Sequence, residues 1–192
     1  GKFEYLPQDN TNTAAPLLCI TVITYRRSDG SSKGNLENLW KILERQTYKN
    51  WKLYLTGDHY DDVNEWNSLS FASDSRVSMF NLLQPGERGS LSDKENLWLR
   101  AGMKASLNTI SRLLSDGYEW KVHLDDDDHW DDDHLSNIVA GIRTGATFVM
   151  TGSQFLQGFL PPEIATPLTN ISNKIVPRPY GIVHSATAFN VK

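Results

Sequence analysis

The chain has 192 residues, 39% of them hydrophobic and 22% charged, which is enough for one globular domain with a sizeable core and excludes a disordered tail, a collagen-like repeat or a low-complexity linker. The net charge of −4 hides one local feature: residues 125–133 read DDDDHWDDD, and the other residues carry 19 basic against 16 acidic side chains. No basic stripe suits a nucleic acid, and no apolar run reaches the roughly 20 residues that cross a bilayer.

Residues 1–16, rich in Asn, Thr, Gln and Pro, read as an arm. A single domain over 17–192 follows, either alone or within a longer multidomain protein. LLCITVIT (17–24) is a nearly continuous β-branched run, the pattern of a strand buried on both faces of a parallel sheet. After a polar loop, Leu36, Leu39, Trp40 and Leu43 share one helical face. WKLYLTGD (51–58) and RVSMFNLL (76–83) predict two more strands. Ser92 to Glu95 forms a capping box that predicts a long helix over 92–115, with Leu97, Ala101, Ala105, Ile110, Leu113 and Leu114 as its apolar positions and Asp116-Gly117 as its stop. WKVHL (120–124) predicts a short strand running into the aspartates. Leu135, Ile138, Val139 and Ile142 mark a further helix, and ATFVMTG (146–152) a further strand. The stretch 153–180 is irregular, and YGIVHSATAFN (180–190) is strand-like. Alternating strands and helices predict an α/β layered domain with a mostly parallel sheet.

Parallel sheets gather ligands at the carboxyl ends of their strands, and Asp125 to Asp128 follow such an end. Two carboxylates ~4 Å apart repel by roughly 1 kcal/mol in water and ~4 kcal/mol near a protein surface. Four in a row call for a counter-charge, which a hard divalent cation bound through oxygen supplies. The competing account is a solvated acidic loop whose Asp131 to Asp133 cap the next helix. An EF-hand loop starting at Asp125 needs Gly and Glu where this chain has Trp130 and Ser136. His123, His129 and His134 follow no usual zinc spacing, and a P-loop and the dinucleotide glycine fingerprint are absent after the first strand. The one cysteine, Cys19, permits no internal disulfide and suits a reducing compartment, and Gly1 to Asn10 lack the order of a signal peptide.

LDDDDHWDDDHL (124–135) resembles the metal-binding segment of GT-A fold glycosyltransferases of the family-two type, Leu-Asp-x-Asp-Asp-x-Trp-x-Pro-x-x-Leu, with Asp132 in place of the Pro. ITVITYRR is similar to that family's first strand, and the resemblance covers roughly residues 17–152. The chain as a whole is similar to glycosyltransferase domains of chlorella viruses, of the kind linked to capsid glycans. The resemblance implies a GT-A (Rossmann-like) layered domain that moves a hexose from a UDP-sugar to a hydroxyl of a glycan or glycoprotein acceptor, using Mn²⁺ or Mg²⁺. By the family's roles Tyr25 would stack on uracil, Thr24 would offer a hydrogen bond beside it, and Asp58 would accept the uracil N–H. Lys94 falls where relatives contact base or phosphate. Asp125 and Asp126 would bind ribose or water around the metal. Asp127, with Asp125, would coordinate the cation, and His184 is a further candidate ligand or else a core histidine. A viral chain would then act in the host cytoplasm.

The Glu-Asp pair that inverting relatives place after the motif has no counterpart, since Glu163 is the one acidic residue between 145 and 192. The base lies beyond Lys192, or Glu163 serves, or the enzyme retains configuration. SQFLQGFLPP (153–162) and Trp130 are candidates for a wall of the acceptor site. Two other readings share the acidic site: a sugar-phosphate nucleotidyltransferase, and a non-catalytic domain that binds a divalent ion or glycan.

Overall fold

The apolar run around Cys19 forms β1 (Leu18–Thr24), buried at six of its seven positions. The structure is a computed structural model and describes residues 15–86, 102–151 and 187–191. Within them β1 is followed by α1 (Ser32–Arg45), β2 (Trp51–Gly57), α2 (Val63–Asn67), β3 (Val77–Asn81), α3 (Met103–Ser115), β4 (Trp120–His123), α4 (His134–Arg143), β5 (Phe148–Met150) and β6 (Thr187–Asn190). The strands form one sheet in the order β3-β2-β1-β4-β6-β5. β1 pairs parallel with β2 and β4, and β2 parallel with β3, whereas β6 runs antiparallel to both β4 and β5. The expected mostly parallel α/β sheet is therefore present. No helix among the described residues is long and apolar enough to cross a membrane.

Strand alternation sends the side chains of β1 to two different layers. Leu18, Ile20 and Val22 join Leu36, Leu39, Trp40 and Leu43 of α1 and Leu135, Ile138 and Val139 of α4 in the main core. Cys19 packs with Tyr54 and with Leu113 of α3 on the other face. That second layer is more polar, and there the Thr56 and Thr109 hydroxyls lie 2.7 Å apart.

Three local readings need correction. The helix expected over 92–115 begins, within the described residues, at Met103, because Gly102 ahead of it has φ +73°, outside the helical region. The capping box at 92–95 lies outside the described residues. The buried face of α3 is Ala105, Thr109 and Leu113, and Leu114 is exposed. The stop is as expected: Gly117 donates to Leu114 O and Tyr118 to Leu113 O, a Schellman ending with Gly117 at φ +80°. The short α2 escaped the sequence reading because its signal is one N-cap, Asp62, whose side chain accepts the Glu65 N–H at 2.8 Å.

Gln46 ends α1 and is fully buried. Its Oε1 accepts the Leu135 N–H at 3.0 Å and its Nε2 donates to Asp131 O at 2.8 Å, so it satisfies the start of α4 and holds the far end of the acidic segment. Gln46→Ala strands the buried Leu135 N–H and removes one of two hydrogen bonds to Asp131 O, and is expected to cost about 1–3 kcal/mol, read as a lowered urea midpoint with an unchanged m-value.

Candidate active site

Because β2, β1 and β4 are parallel neighbours, their carboxyl ends open on one edge of the sheet. Thr24 is registered with Gly57, and Thr21 with His123. The residues that follow, Tyr25, Asp58 and Asp125 onward, therefore meet there. Thr24 is buried, and its hydroxyl donates to Asp126 Oδ2 at 2.5 Å across 102 positions of sequence.

Asp126 is itself buried and takes a two-pronged hold from Arg27, Nη1 to Oδ2 at 2.8 Å and Nη2 to Oδ1 at 2.7 Å. The same Nη2 lies 3.2 Å from Asp127 Oδ2. The Arg27 guanidinium also stands 5.2 Å from the ring centre of Tyr25, whose side chain is exposed. Ser32, buried at the start of α1, fixes this loop by accepting the Arg27 N–H at 2.6 Å and donating to Tyr25 O at 3.2 Å. Arg27 was not singled out in the sequence; its partner lies 99 residues away, and only the β1–β4 neighbourhood brings the two together.

Asp58 is buried at the end of β2. Its N–H donates to Thr24 O at 2.7 Å and its Oδ1 accepts the Gly86 N–H at 2.8 Å. Gly57 just before it has no room for a side chain: a Cβ would lie 2.7 Å from Asn81 Oδ1, which is held by the Tyr60 N–H. His59 just after it adopts φ +57°, the left-handed turn that carries the chain away from the edge. Beside the edge an open cleft of about 460 Å³ is lined by Arg26, Asp61, Asp62, Val63 and Asn64.

Along the acidic turn, Asp125 Oδ1 sits 2.9 Å from His123 Nε2. The Asp127 side chain is 58% exposed. Partial desolvation, then the charge of Asp126, hold its carboxyl above the usual carboxylate range; Arg27 opposes the shift, and Asp128 and Asp125 add to it. The far end of the segment is clamped by Gln46, by the Thr47 N–H on Asp132 O at 2.7 Å, and by Arg45 Nε on Asp132 Oδ1 at 3.0 Å. Asp133 occupies the N-cap of α4, but its side chain makes no capping hydrogen bond. Helix capping by that side chain therefore does not account for the run.

The chemistry of this donor set suits a hard divalent cation. Of four successive carboxylates two, Asp126 and Asp127, contact the Arg27 guanidinium, and the neighbouring charges of Asp126, Asp128 and Asp125 bear on Asp127. Among the described residues no group of three or more His, Cys, Asp or Glu side chains is placed to hold a metal alone. Mg²⁺-type sites commonly use one or two carboxylates and complete the shell with substrate phosphates and water. Asp127, with Asp125 beside it, fits that pattern. Lys94 and His184 lie outside the described residues, as does the stretch 153–162. Trp130 is 3% exposed and belongs to the core, which removes it from the candidate acceptor wall.

Trp130 stacks on His134 with ring centres 4.3 Å apart and planes 12° off parallel. Burial pushes the His134 imidazole down to about 4, with Asp131 and Asp133 opposing. The folded protein thus binds this proton less readily than the unfolded chain. The stability is complete above about pH 6.5 and is lost as pH falls toward 4, by up to about 1.4 kcal/mol per pH unit. Thermal melts of the wild type between pH 7 and 5 are expected to fall more steeply than those of His134→Phe, which keeps the stack and cannot titrate.

A mostly parallel sheet that presents an aromatic residue after its first strand and an aspartate cluster after its fourth is the arrangement that the resemblance to GT-A fold enzymes implies. Comparison with known proteins agrees. No protein-family model matches the chain. It is 30% identical over 186 residues to an uncharacterized glycosyltransferase of Acanthamoeba polyphaga mimivirus, covering 94% of this chain and 75% of that one. The chain belongs to the glycosyltransferases. Its fold is shared with S. aureus TarS: the complex of TarS with UDP gives a TM-score of 0.60 at 13% identity over 90% of this chain, and the complex with UDP-GlcNAc 0.55 at 14% over 76%. The chain spans less than half of the TarS segment in those structures, 46% and 36% respectively.

Proposed function

We propose that the chain moves a hexose from a UDP-sugar to a hydroxyl of a glycan or glycoprotein acceptor, with a divalent cation at the acidic turn. The observation that carries this is the convergence of Thr24, Tyr25, Asp58 and Asp125 to Asp127 on one sheet edge, with Arg27 tying the β1 side to the β4 side. The exposed ring of Tyr25 supplies a platform for the base. Asp58, buried beside Thr24, is the acceptor for the base N–H. Asp125 and Asp126 line the ribose and the inner water. Asp127, with Asp125, is assigned to a Mn²⁺ or Mg²⁺ ion. Lys94 and His184 are proposed as further nucleotide and metal contacts.

Departure of the diphosphate develops negative charge as the glycosidic bond breaks, and preorganised positive groups at that point lower the barrier. The cation supplies Lewis-acid neutralisation of that charge when bound. Arg27, fixed by Asp126, adds a permanent guanidinium a short distance away. The course proposed for the transfer is retention, with inversion through Glu163 or through a base beyond residue 192 as the alternatives. We propose a cytoplasmic location, since a single cysteine permits no internal disulfide and suits a reducing compartment.

The test is incubation of the chain with UDP-hexoses, GDP-hexoses and hexose 1-phosphate plus UTP, each with Mn²⁺. Slow release of UDP from a UDP-hexose is the expected result. Pyrophosphate release from the third mixture would assign a nucleotidyltransferase, and no turnover with any donor would leave a binding domain. The anomeric proton coupling of a transferred sugar reads the stereochemistry.

A further inference from the structure

Arg27 stands where the base side and the carboxylate side of the edge meet. Its side chain is 18% exposed, so its charge is partly withdrawn from water. Three of its contacts are spent on carboxylates, two on Asp126 and one on Asp127, and its guanidinium faces Tyr25. Both oxygens of Asp126 are in turn engaged, Oδ1 by Arg27 and Oδ2 by Arg27 and Thr24. A planar guanidinium gripped in this way is a fixed cation, unlike a lysine on a flexible stem. Any divalent ion approaching Asp127 therefore meets a positive charge already bound to the same oxygen cluster, and finds Asp126 occupied. A nucleoside diphosphate changes that balance. Its anionic oxygens offer ligands to the ion and acceptors to the guanidinium, so the two cations stop competing.

Resting on the nucleotide-sugar reading given above, we propose that Arg27 is a positioning residue that stands in for the metal in the nucleotide-free protein, so that the acidic turn accepts a divalent ion chiefly together with a nucleoside diphosphate. Binding of metal and nucleotide is then mutually reinforcing, and the guanidinium sets the size of that coupling.

The experiment is titration of the full chain with Mn²⁺, followed by the spectrum of free Mn²⁺, with and without saturating UDP. It compares the wild type with Arg27→Met, Arg27→Gln and Arg27→Lys. In the wild type UDP is expected to tighten Mn²⁺ binding at least about tenfold, or about 1.4 kcal/mol. Arg27→Met removes the charge but keeps a stem, and is expected to tighten binding of Mn²⁺ alone about tenfold and to shrink the effect of UDP. Arg27→Gln gives the same reading should the Met variant not melt cooperatively. Arg27→Lys, which retains the charge on a flexible stem, is expected to fall between the wild type and the neutral variants. Affinity for Mn²⁺ alone that is unchanged or weaker in the neutral variants overturns the role of Arg27, as does a Lys variant that behaves like them. Absence of UDP binding to the wild type at any Mn²⁺ level counts instead against the nucleotide reading, and the response of Mn²⁺ alone to Arg27→Met still decides the role of the guanidinium.

Discussion

Asp127→Asn is expected to slow UDP release from a UDP-hexose by at least roughly 100-fold while leaving the thermal midpoint almost unchanged. The two halves of this expectation have separate causes. Asp127 is more than half exposed, and its ion pair among the described residues is with Nη2 of Arg27 at 3.2 Å, so the fold loses little. Asparagine keeps the shape and one oxygen but removes the negative charge that would draw a cation to the diphosphate. A factor of 100 corresponds to about 2.7 kcal/mol at the transition state, within the several kcal/mol that metal neutralisation supplies. The measurement is initial rate at saturating Mn²⁺ alongside a melt. Equal rates in both proteins would remove Asp127 from the site.

Asp126→Ala is expected to act in the opposite proportion, with a large loss of stability and an accompanying loss of nucleotide binding. Its carboxylate is buried and satisfies both the Arg27 fork and the buried Thr24 hydroxyl. Its removal leaves a partly buried guanidinium without its main partner. Loss of one member of a fully buried ion pair costs about 3–5 kcal/mol, and because Arg27 keeps some access to water the expected cost is about 2–4 kcal/mol. For a chain of this length that lowers the melting midpoint by ~5–15 °C. Adding Arg27→Met to Asp126→Ala removes the stranded charge. The double variant is expected to recover part of the loss, with a coupling of about 1–3 kcal/mol by denaturant titration. Additive losses would show that the fork carries no net energy.

The parts of the fold that could be read from the sequence are those whose signal is local. The run that became β1 is apolar because the strand is covered on both faces, and that shows in a seven-residue window. The acidic turn was legible because crowded carboxylates demand a counter-charge wherever they lie. What escaped depends on neighbours distant in sequence. β6 enters between β4 and β5 in the reverse direction, and strand order is not written in the strand itself. The apolar residues of α3 suggested a buried face through Ile110 and Leu114, but the sheet surface it meets carries Thr56, so Thr109 turns inward and Leu114 outward. Trp130 beside the aspartates looked available to a sugar, yet it stacks on His134 inside the core. The counter-charge itself was half anticipated: the turn does hold a cation, and in this structure it is the guanidinium of Arg27.

The most direct test of the central claim is calorimetric titration of UDP into the chain with Mn²⁺ present and absent, repeated with CMP, with GDP and with Asp127→Asn. The account predicts heat of binding for UDP that requires the ion, exceeds that of the other two nucleotides, and disappears in the variant. Equal affinity for all three nucleotides, or UDP binding indifferent to Mn²⁺ and to Asp127, would contradict it.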